Sequence, residues 1–265
     1  MRPSDCLTAA EALVLQKPVV STGRETLKLA LSELIARKGI SVRVEKIRWT
    51  SMVILSPARE KASNHHWDPV LQAAYDLTVE ACGSEREVSV TQLAGTIRRR
   101  YPAETVKHSF KWLKVVPSLV SKGLAETRKE KALLFIPVTR LGLTARGQAR
   151  LVDLESQLRR AEEIPEMAKS NPSAAAALLA SLGGVAILVD TLKSKRAEIA
   201  RLLQPEHADG GAADMLPIFM ADGGMHVADS SLDTAIDCFG AFDGAGGFDA
   251  GGGFDGGGGG DGGGS

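Results

Sequence analysis

The stretch that decides the fold is Leu119–Leu124 (Leu-Val-Ser-Lys-Gly-Leu), which closes a helical pattern and opens a β-hairpin pattern. The first quarter of the chain carries a fainter copy, Leu34–Ile40 (Leu-Ile-Ala-Arg-Lys-Gly-Ile). In each copy a glycine, Gly39 or Gly123, stands just after a helix, where a left-handed backbone costs glycine least. The order of helix, glycine stop and hairpin is typical of a winged-helix unit, so the sequence predicts two such units.

The first copy sits between a helical pattern and a strand pattern. Glu25 to Lys38 has the apolar spacing of an amphipathic helix. Ile40 to Val44 then alternates like a half-buried strand, and Thr50 to Leu55 returns as its partner. The helix face that is expected to enter the core consists of Leu27, Leu31, Leu34 and Ile35.

The second copy follows a longer helical pattern. Pro102 opens this helix, and Pro117 is expected to kink it because proline removes a hydrogen bond from the helix interior. A hairpin is predicted next, with strands at Leu124–Arg128 and Ala132–Thr139 around a charged turn at Arg128–Lys131.

Capping residues mark the helices that flank the second copy. Side chains that accept backbone N–H groups favour helix starts. They predict helices that begin at Asp68, Thr144 and Asn171, and the last of these is expected to bend at Gly183–Gly184. A further helix is predicted over Val90–Arg100.

Charge divides the chain into a basic body and an acidic tail. Residues 1–150 hold 25 basic and 14 acidic side chains, a net charge of +11, and residues 151–204 hold 7 of each. Residues 205–265 hold 11 acidic side chains, no Lys or Arg, and 19 of the 28 glycines. Such a segment cannot bury enough apolar surface to offset the backbone entropy of glycine, so we expect it to be disordered.

The expected fold class is therefore mainly α with short β-hairpins. The body, residues 1–204, is predicted to contain two winged-helix-like units, at about 7–57 and 68–150, and closing helices at 151–204. Residues 205–265 form the disordered Gly/Asp-rich tail.

Composition and motifs exclude several classes of protein. Cys6, Cys82 and Cys238 are widely spaced, which favours free thiols in a reducing cytoplasm over a disulfide framework or zinc knuckle. The uncharged stretch Ser173–Val189 is rich in Ala, Gly and Ser and is predicted to be a buried helix rather than a membrane span. No nucleophile, base and orienting group can be assembled, so we expect neither an enzyme nor a cofactor or metal site.

Two features carry the functional prediction. The first is a basic face, which fits a DNA groove, lipid headgroups or a merely solvated surface. The second is a continuously apolar hairpin strand, which is core if both its faces are buried and a membrane wedge if one is exposed. The basic face consists of Arg98, Arg99, Arg100, Lys107, Lys111 and Lys114. The apolar strand contains Leu133, Leu134, Phe135 and Ile136.

In the order of these elements, residues 7–203 resemble the Golgi phosphoprotein 3-like family. The resemblance is carried by Glu33–Lys38, by Asp68–Leu71, by Leu119–Leu124 with Leu133–Phe135 after it, and by Asn171-Pro172 before an Ala/Leu helix. It implies a mostly helical peripheral membrane protein that recognises phosphatidylinositol 4-phosphate and inserts an apolar hairpin, here about Glu126 to Leu143. The headgroup pocket of the family uses a tryptophan and arginines. The positions of its helical arginines fall on Ser109 and Trp112, with Lys111 and Lys114 adjacent.

The function that we expect from these features is non-enzymatic binding of a cytoplasmic protein to an anionic membrane surface. Arg98, Arg99, Arg100, Lys107, Lys111, Trp112 and Lys114 would meet the headgroups, and Leu133 to Ile136 would insert. The acidic tail would fold back on the basic body and weaken this binding. The alternatives are a winged-helix transcription regulator that binds DNA and an adaptor whose tail Phe-Asp repeats recruit proteins.

Overall fold

The computed structural model describes residues 6–47, 50–58, 67–101, 109–132 and 136–203. Helices form most of this part of the chain, and the strands form two short antiparallel sheets. The predicted class, mainly α with short hairpins, is therefore confirmed. The predicted tail at 205–265 lies outside the described residues, as do Lys107 and Leu133–Phe135.

The predicted helices and hairpins appear in the predicted order, with further short elements between them. Pro102, the predicted start of one helix, lies outside the described residues. The first half contains α1 (Ala9–Gln16), α2 (Gly23–Ala36), β1 (Ile40–Ile47), β2 (Thr50–Pro57), α3 (Pro69–Cys82), β3 (Val88–Ser89) and α4 (Val90–Arg100). The second half contains a π-helical segment (Lys111–Val115), α5 (Val116–Ser121), β4 (Ala125–Ala132), β5 (Ile136–Leu143), α6 (Ala145–Ala161), α7 (Ile164–Ser170), α8 (Pro172–Leu182), a 3-10 segment (Gly183–Leu188), α9 (Asp190–Ser194) and α10 (Arg196–Leu202).

The three predicted N-caps are confirmed. The Asp68 carboxylate accepts the Val70 N–H at 2.9 Å and begins α3. The Thr144 hydroxyl accepts the N–H of the third residue of α6 at 3.0 Å, and the Asn171 amide oxygen does the same for α8 at 3.1 Å. Each side chain satisfies a backbone donor that has no partner within the helix, which fixes where the helix starts.

The glycine stop of the second copy is confirmed. Gly123 has a φ of +68° and follows α5. Its N–H donates to Val120 O at 2.9 Å, and the N–H of Leu124 donates to Leu119 O, also at 2.9 Å. This pair of bonds is the Schellman motif that turns the chain out of a helix into a strand.

The first copy has the same motif, but the prediction for Gly39 is wrong. The left-handed residue is Lys38, with a φ of +56°, and the N–H of Gly39 donates to Leu34 O at 2.8 Å. Gly39 lies close to the indole of Trp67, because a Cβ at position 39 would be 3.0 Å from that ring. The two glycines thus occupy positions one residue apart in otherwise equivalent turns.

The second hairpin is displaced from its predicted position. β4 continues through the charged run Arg128–Lys131 to Ala132, which pairs with Ile136, so the predicted turn at Arg128–Lys131 is wrong. Thr127, Arg128 and Lys129 are exposed. A strand of a two-stranded surface sheet tolerates such residues, because the side chains of Arg128 and Lys129 remain in contact with water.

The two predicted units share one sheet and one core. β3 precedes α4 in the second unit, yet it pairs with β2 of the first, with Leu55 opposite Val88. The main core cluster takes side chains from both units, such as Leu34 and Phe110, and also Leu154 from the closing helices. A second cluster lies among the closing helices, and Ile35 packs against both.

The last predicted helix is shorter than the sequence predicts. The helix after Asn171 breaks at Gly183, which has a φ of +55°, and continues as a 3-10 segment. The predicted bend is therefore a full interruption. In the described part of the chain, no helix is both long and apolar enough to cross a membrane.

Candidate functional site

The β4–β5 hairpin presents two arginines side by side. Arg128 and Arg140 are directly opposite each other in the antiparallel register, and both are exposed. Directly opposed side chains lie on one face of a sheet, and like charges there destabilise it. Glu126, two residues before Arg128 on the same face, forms an ion pair with that arginine. The register therefore brings two guanidinium groups together on one face of the hairpin.

The opposite face of the hairpin anchors it to the body. Leu141 and Leu143 alternate with Arg140 along β5 and pack against the main core cluster. Ala125, paired with Leu143, is buried. Because side chains alternate along a strand, fixing this face inward directs Arg128 and Arg140 outward.

The predicted inserting residues lie at the far end of this hairpin in the sequence. Ile136 is the first residue of β5 and pairs with Ala132. The three residues between them, Leu133, Leu134 and Phe135, lie outside the described residues. Their insertion into a membrane stays a prediction.

Three consecutive arginines end α4. Arg98, Arg99 and Arg100 are exposed and stand in the last helical turn, where positive charge interacts favourably with the helix dipole. Tyr101 follows them and packs edge-on against Phe110, with ring centroids 6.0 Å apart. This contact holds the arginine turn close to the start of the π-helical segment.

Lys111 does not belong to the exposed basic face. Its ammonium is buried and donates to Pro18 O at 2.7 Å and to Ser21 O at 2.8 Å. Burial lowers the pKa of Lys111, and the nearby charge of Glu25 opposes this effect. The prediction that Lys111 contacts headgroups is therefore wrong, since its ammonium is hydrogen-bonded inside the protein.

The predicted lysine stripe fails because it assumed α-helical rotation. In the π-helical segment the hydrogen bonds span five residues, which changes the direction of each successive side chain. Lys114 is exposed, Trp112 is half-buried, and Lys107 lies outside the described residues. Of the predicted headgroup set, Lys114 and the α4 arginines thus have exposed side chains.

Sequence reasoning missed a buried polar network at the base of the hairpin. Glu11 is fully buried, and its carboxylate accepts hydrogen bonds from the Thr8 N–H at 2.9 Å, the Ser118 hydroxyl at 2.6 Å and the Lys122 ammonium at 2.7 Å. Its own helix, α1, contributes the first bond, and the end of α5 contributes the other two. The network joins parts of the chain that are more than 100 residues apart in sequence.

Lys122 is the centre of this network. It also donates to the Asp68 carboxylate at 2.8 Å and to Cys6 O at 3.2 Å. Burial alone would lower the pKa of Lys122, but its attraction to Glu11 and Asp68 outweighs this effect and raises the pKa. Because Lys122 is the residue after α5 and precedes the turn into β4, these bonds fix the direction in which the hairpin leaves the body.

The first copy also has a buried glutamate that is paired with a cation just after a helix. Arg37 follows α2 as Lys122 follows α5, and it donates to Glu33 at 2.6 Å. The other Glu33 oxygen accepts the Ala9 N–H at 2.8 Å. Burial raises the pKa of Glu33, and Arg37 counteracts this only in part. The duplicated turn thus places a cation beside a buried carboxylate in both copies, which the aligned positions of Arg37 and Lys122 could have indicated.

The described residues offer chemistry for binding and show no metal cluster. Among them, no group of three or more His, Cys, Asp or Glu side chains is placed to hold a metal ion. Cys6 has an exposed side chain and Cys82 a buried one. The ionisable groups with buried charge are paired with each other or with carbonyl oxygens.

Comparison with known proteins does not place this chain in a family. No protein-family model, no curated protein and no solved structure matches it.

Proposed function

We propose that this protein binds an anionic membrane surface from the cytoplasm through the β4–β5 hairpin, without enzymatic activity. The observation that carries the proposal is the hairpin register. It sets Arg128 beside Arg140 on the outward face and brackets the apolar segment Leu133–Phe135 between the paired residues Ala132 and Ile136.

A peripheral membrane protein can combine two weak interactions in one element, namely charge attraction and apolar insertion. A basic side chain near an anionic surface contributes about 1 kcal/mol, and apolar side chains add to this when they enter the acyl boundary. Reversible attachment needs both, because neither signal is strong enough alone. The hairpin combines them within one short element that the Leu141–Leu143 anchor holds against the body.

Further basic residues support the same partner. Arg98, Arg99, Arg100 and Lys114 are exposed and add charge outside the hairpin. With Lys111 buried, the helical stretch of residues 111–121 lacks the regular basic stripe that a DNA-reading helix would need, which counts against the transcription regulator.

The winged-helix-like units and the specific lipid are part of the same proposal. The winged-helix-like character of units 7–57 and 68–150 follows from the order of helix, glycine stop and hairpin. Recognition of phosphatidylinositol 4-phosphate follows from the resemblance to the Golgi phosphoprotein 3-like family. Trp112 and Lys114 would then stand at the headgroup. Selective binding to vesicles that contain this lipid, compared with other anionic vesicles of equal charge, would support that assignment.

Co-sedimentation with vesicles tests the proposal. The full chain is mixed with phosphatidylcholine vesicles and with vesicles that also contain phosphatidylserine, at low and physiological salt. We expect binding that needs the anionic lipid and is lost in the Leu134→Asp/Phe135→Asp variant, because a charge at the insertion site is costly to bury. Absence of binding under every condition would overturn the proposal, and salt-sensitive binding to duplex DNA in its place would favour the transcription regulator.

A further inference from the structure

A second apolar tip lies in the turn between α1 and α2. Val19 and Val20 keep 88% and 75% of their surfaces exposed, the largest values among the bulky apolar residues of the described chain. Single exposed apolar residues are ordinary on protein surfaces. Two adjacent ones at the apex of a turn call for a specific explanation.

The turn that carries the valines is held rigidly. The N–H of Ser21 donates to Lys17 O at 3.0 Å and closes one turn of chain, within which Pro18 restricts the backbone. The buried ammonium of Lys111 then binds the carbonyl oxygens of Pro18 and Ser21. These contacts fix the shape of the turn from inside and leave its two valines outside.

Burying the ammonium of Lys111 costs folding free energy, and its hydrogen bonds to the turn offset this cost. Burying an ammonium disfavours folding unless it is well paired. Its partners among the described residues are two carbonyl oxygens rather than carboxylates, and both belong to this turn. The lysine therefore serves to hold the backbone of residues 18–21 in place.

The chemistry of the turn fits a lipid surface. Two protruding aliphatic side chains need a partner that closes around them, which an acyl layer does without a preformed socket. Lys17 and Arg24 flank the turn, and no acidic residue lies between them. Positive flanks and an apolar apex repeat, on a smaller scale, the arrangement of the β4–β5 hairpin.

We propose that the Val19–Val20 turn is a second membrane-contacting element that enters the same anionic lipid surface as the hairpin. This inference rests on the proposed function and adds a site to it. One helical stretch links the two elements, because Lys111 at its start holds the turn and Gly123 at its end leads into β4. Eleven helical residues span about 16 Å, so the body would be attached at two separated points, which fixes its orientation on the membrane.

Paired valine variants of the full chain test this inference by vesicle co-sedimentation. Val19→Ser/Val20→Ser removes the apolar apex, and Val152→Ser, on the exposed face of α6, is the matched control. We expect the double variant to bind anionic vesicles about tenfold more weakly, and the control to bind like the wild type. Thermal unfolding should be unchanged in both, because these side chains make little contact with the core.

The outcomes separate this inference from the proposed function. If the wild type binds and the double variant binds equally well, the second element is overturned and the hairpin proposal stands. If Val152→Ser weakens binding as much as the double variant, the effect is not specific to the turn and the inference fails. If the wild type binds no vesicle, both fail. A Lys111→Met variant that remains folded should also lose affinity, and full affinity would overturn the role assigned to the lysine.

Discussion

The ammonium nitrogen of Lys122 lies 2.7 Å from a carboxylate oxygen of Glu11, which is fully buried in α1. This ion pair joins the end of α5 to the beginning of the body at the point where the chain turns into the β4–β5 hairpin. A buried carboxylate that loses its partner is left with an uncompensated charge. The pair is therefore a requirement for the arrangement of helices that supports the hairpin.

Lys122→Met should destabilise the protein strongly. We expect the free energy of unfolding to fall by about 3–5 kcal/mol, because Glu11 would stay buried without its cation. The matched control is Arg43→Met, which breaks an exposed ion pair with Glu45 and Glu87 and should cost about 0–1 kcal/mol. Urea denaturation measures both, and equal losses in the two variants would show that the buried pair has no special weight.

The sequence was sufficient where a single side chain decides the local structure. Asp68, Thr144 and Asn171 each satisfy the first backbone donors of a helix, so their positions could be predicted without tertiary contacts. Gly123 was predictable for a similar reason, since the left-handed residue of a Schellman turn favours glycine.

The sequence was insufficient where tertiary packing decides. Lys38, not Gly39, takes the left-handed position, and Gly39 lies beside the ring of Trp67. The partners of Lys111 are carbonyl oxygens about 90 residues away, so no local pattern identifies it as buried. The charged run in β4 has the composition of a turn, and only its pairing with β5 makes it a strand.

Replacement of Glu33 should alter the pH dependence of stability. Burial raises the pKa of Glu33 above its ordinary value of 4.5, so the folded protein holds this proton more tightly than the unfolded chain does. Below pH 4.5, Glu33 is protonated in both the folded and the unfolded state and costs no stability. As the pH rises from 4.5 through the raised pKa, the unfolded chain releases this proton first, so the free energy of unfolding falls. Wild type should therefore lose stability relative to Glu33→Gln over this interval.

Urea unfolding of both proteins at a series of pH values measures the effect of Glu33. Glu155→Gln, on the exposed face of α6, is the control and should follow the wild type at every pH. A difference between wild type and Glu33→Gln that is constant with pH, or that reverses in sign, would contradict the assignment.

Two glycine-to-alanine variants should have opposite effects. A methyl group on Gly147, in the first turn of α6, would overlap the carbonyl oxygen of Leu124, so Gly147→Ala should cost about 2–3 kcal/mol. Gly95 lies in α4 with no atom near the position of a Cβ, and Gly95→Ala should stabilise the protein by about 0.5–1 kcal/mol. Thermal unfolding distinguishes them, and a neutral Gly147→Ala would mean that α6 and Leu124 are not in contact.

Removal of the acidic tail should strengthen membrane binding. The body without residues 205–265 keeps its net charge of +11, whereas the tail contributes −11. We expect the truncated protein to bind anionic vesicles more tightly at low salt, with a difference that shrinks as salt screens the tail–body attraction. In a further full-length variant, serine replaces the five tail aspartates that recur every six residues. Its affinity should fall between those of the full chain and the truncated protein, and equal binding by all three would exclude the tail as a regulator. Those aspartates are Asp237, Asp243, Asp249, Asp255 and Asp261.

We propose that the outward face of the β4–β5 hairpin meets an anionic membrane. The most direct test compares Arg128→Gln/Arg140→Gln with Arg159→Gln/Arg160→Gln, which removes the same charge from the exposed end of α6. Partitioning of the full chain onto phosphatidylserine-containing vesicles at low salt is the measurement. At about 1 kcal/mol for each basic residue at the surface, the hairpin variant should bind about 30-fold more weakly than the wild type, and the α6 variant should lose much less. Equal losses in the two variants would contradict the account, because they would assign binding to the net charge of the body rather than to the hairpin.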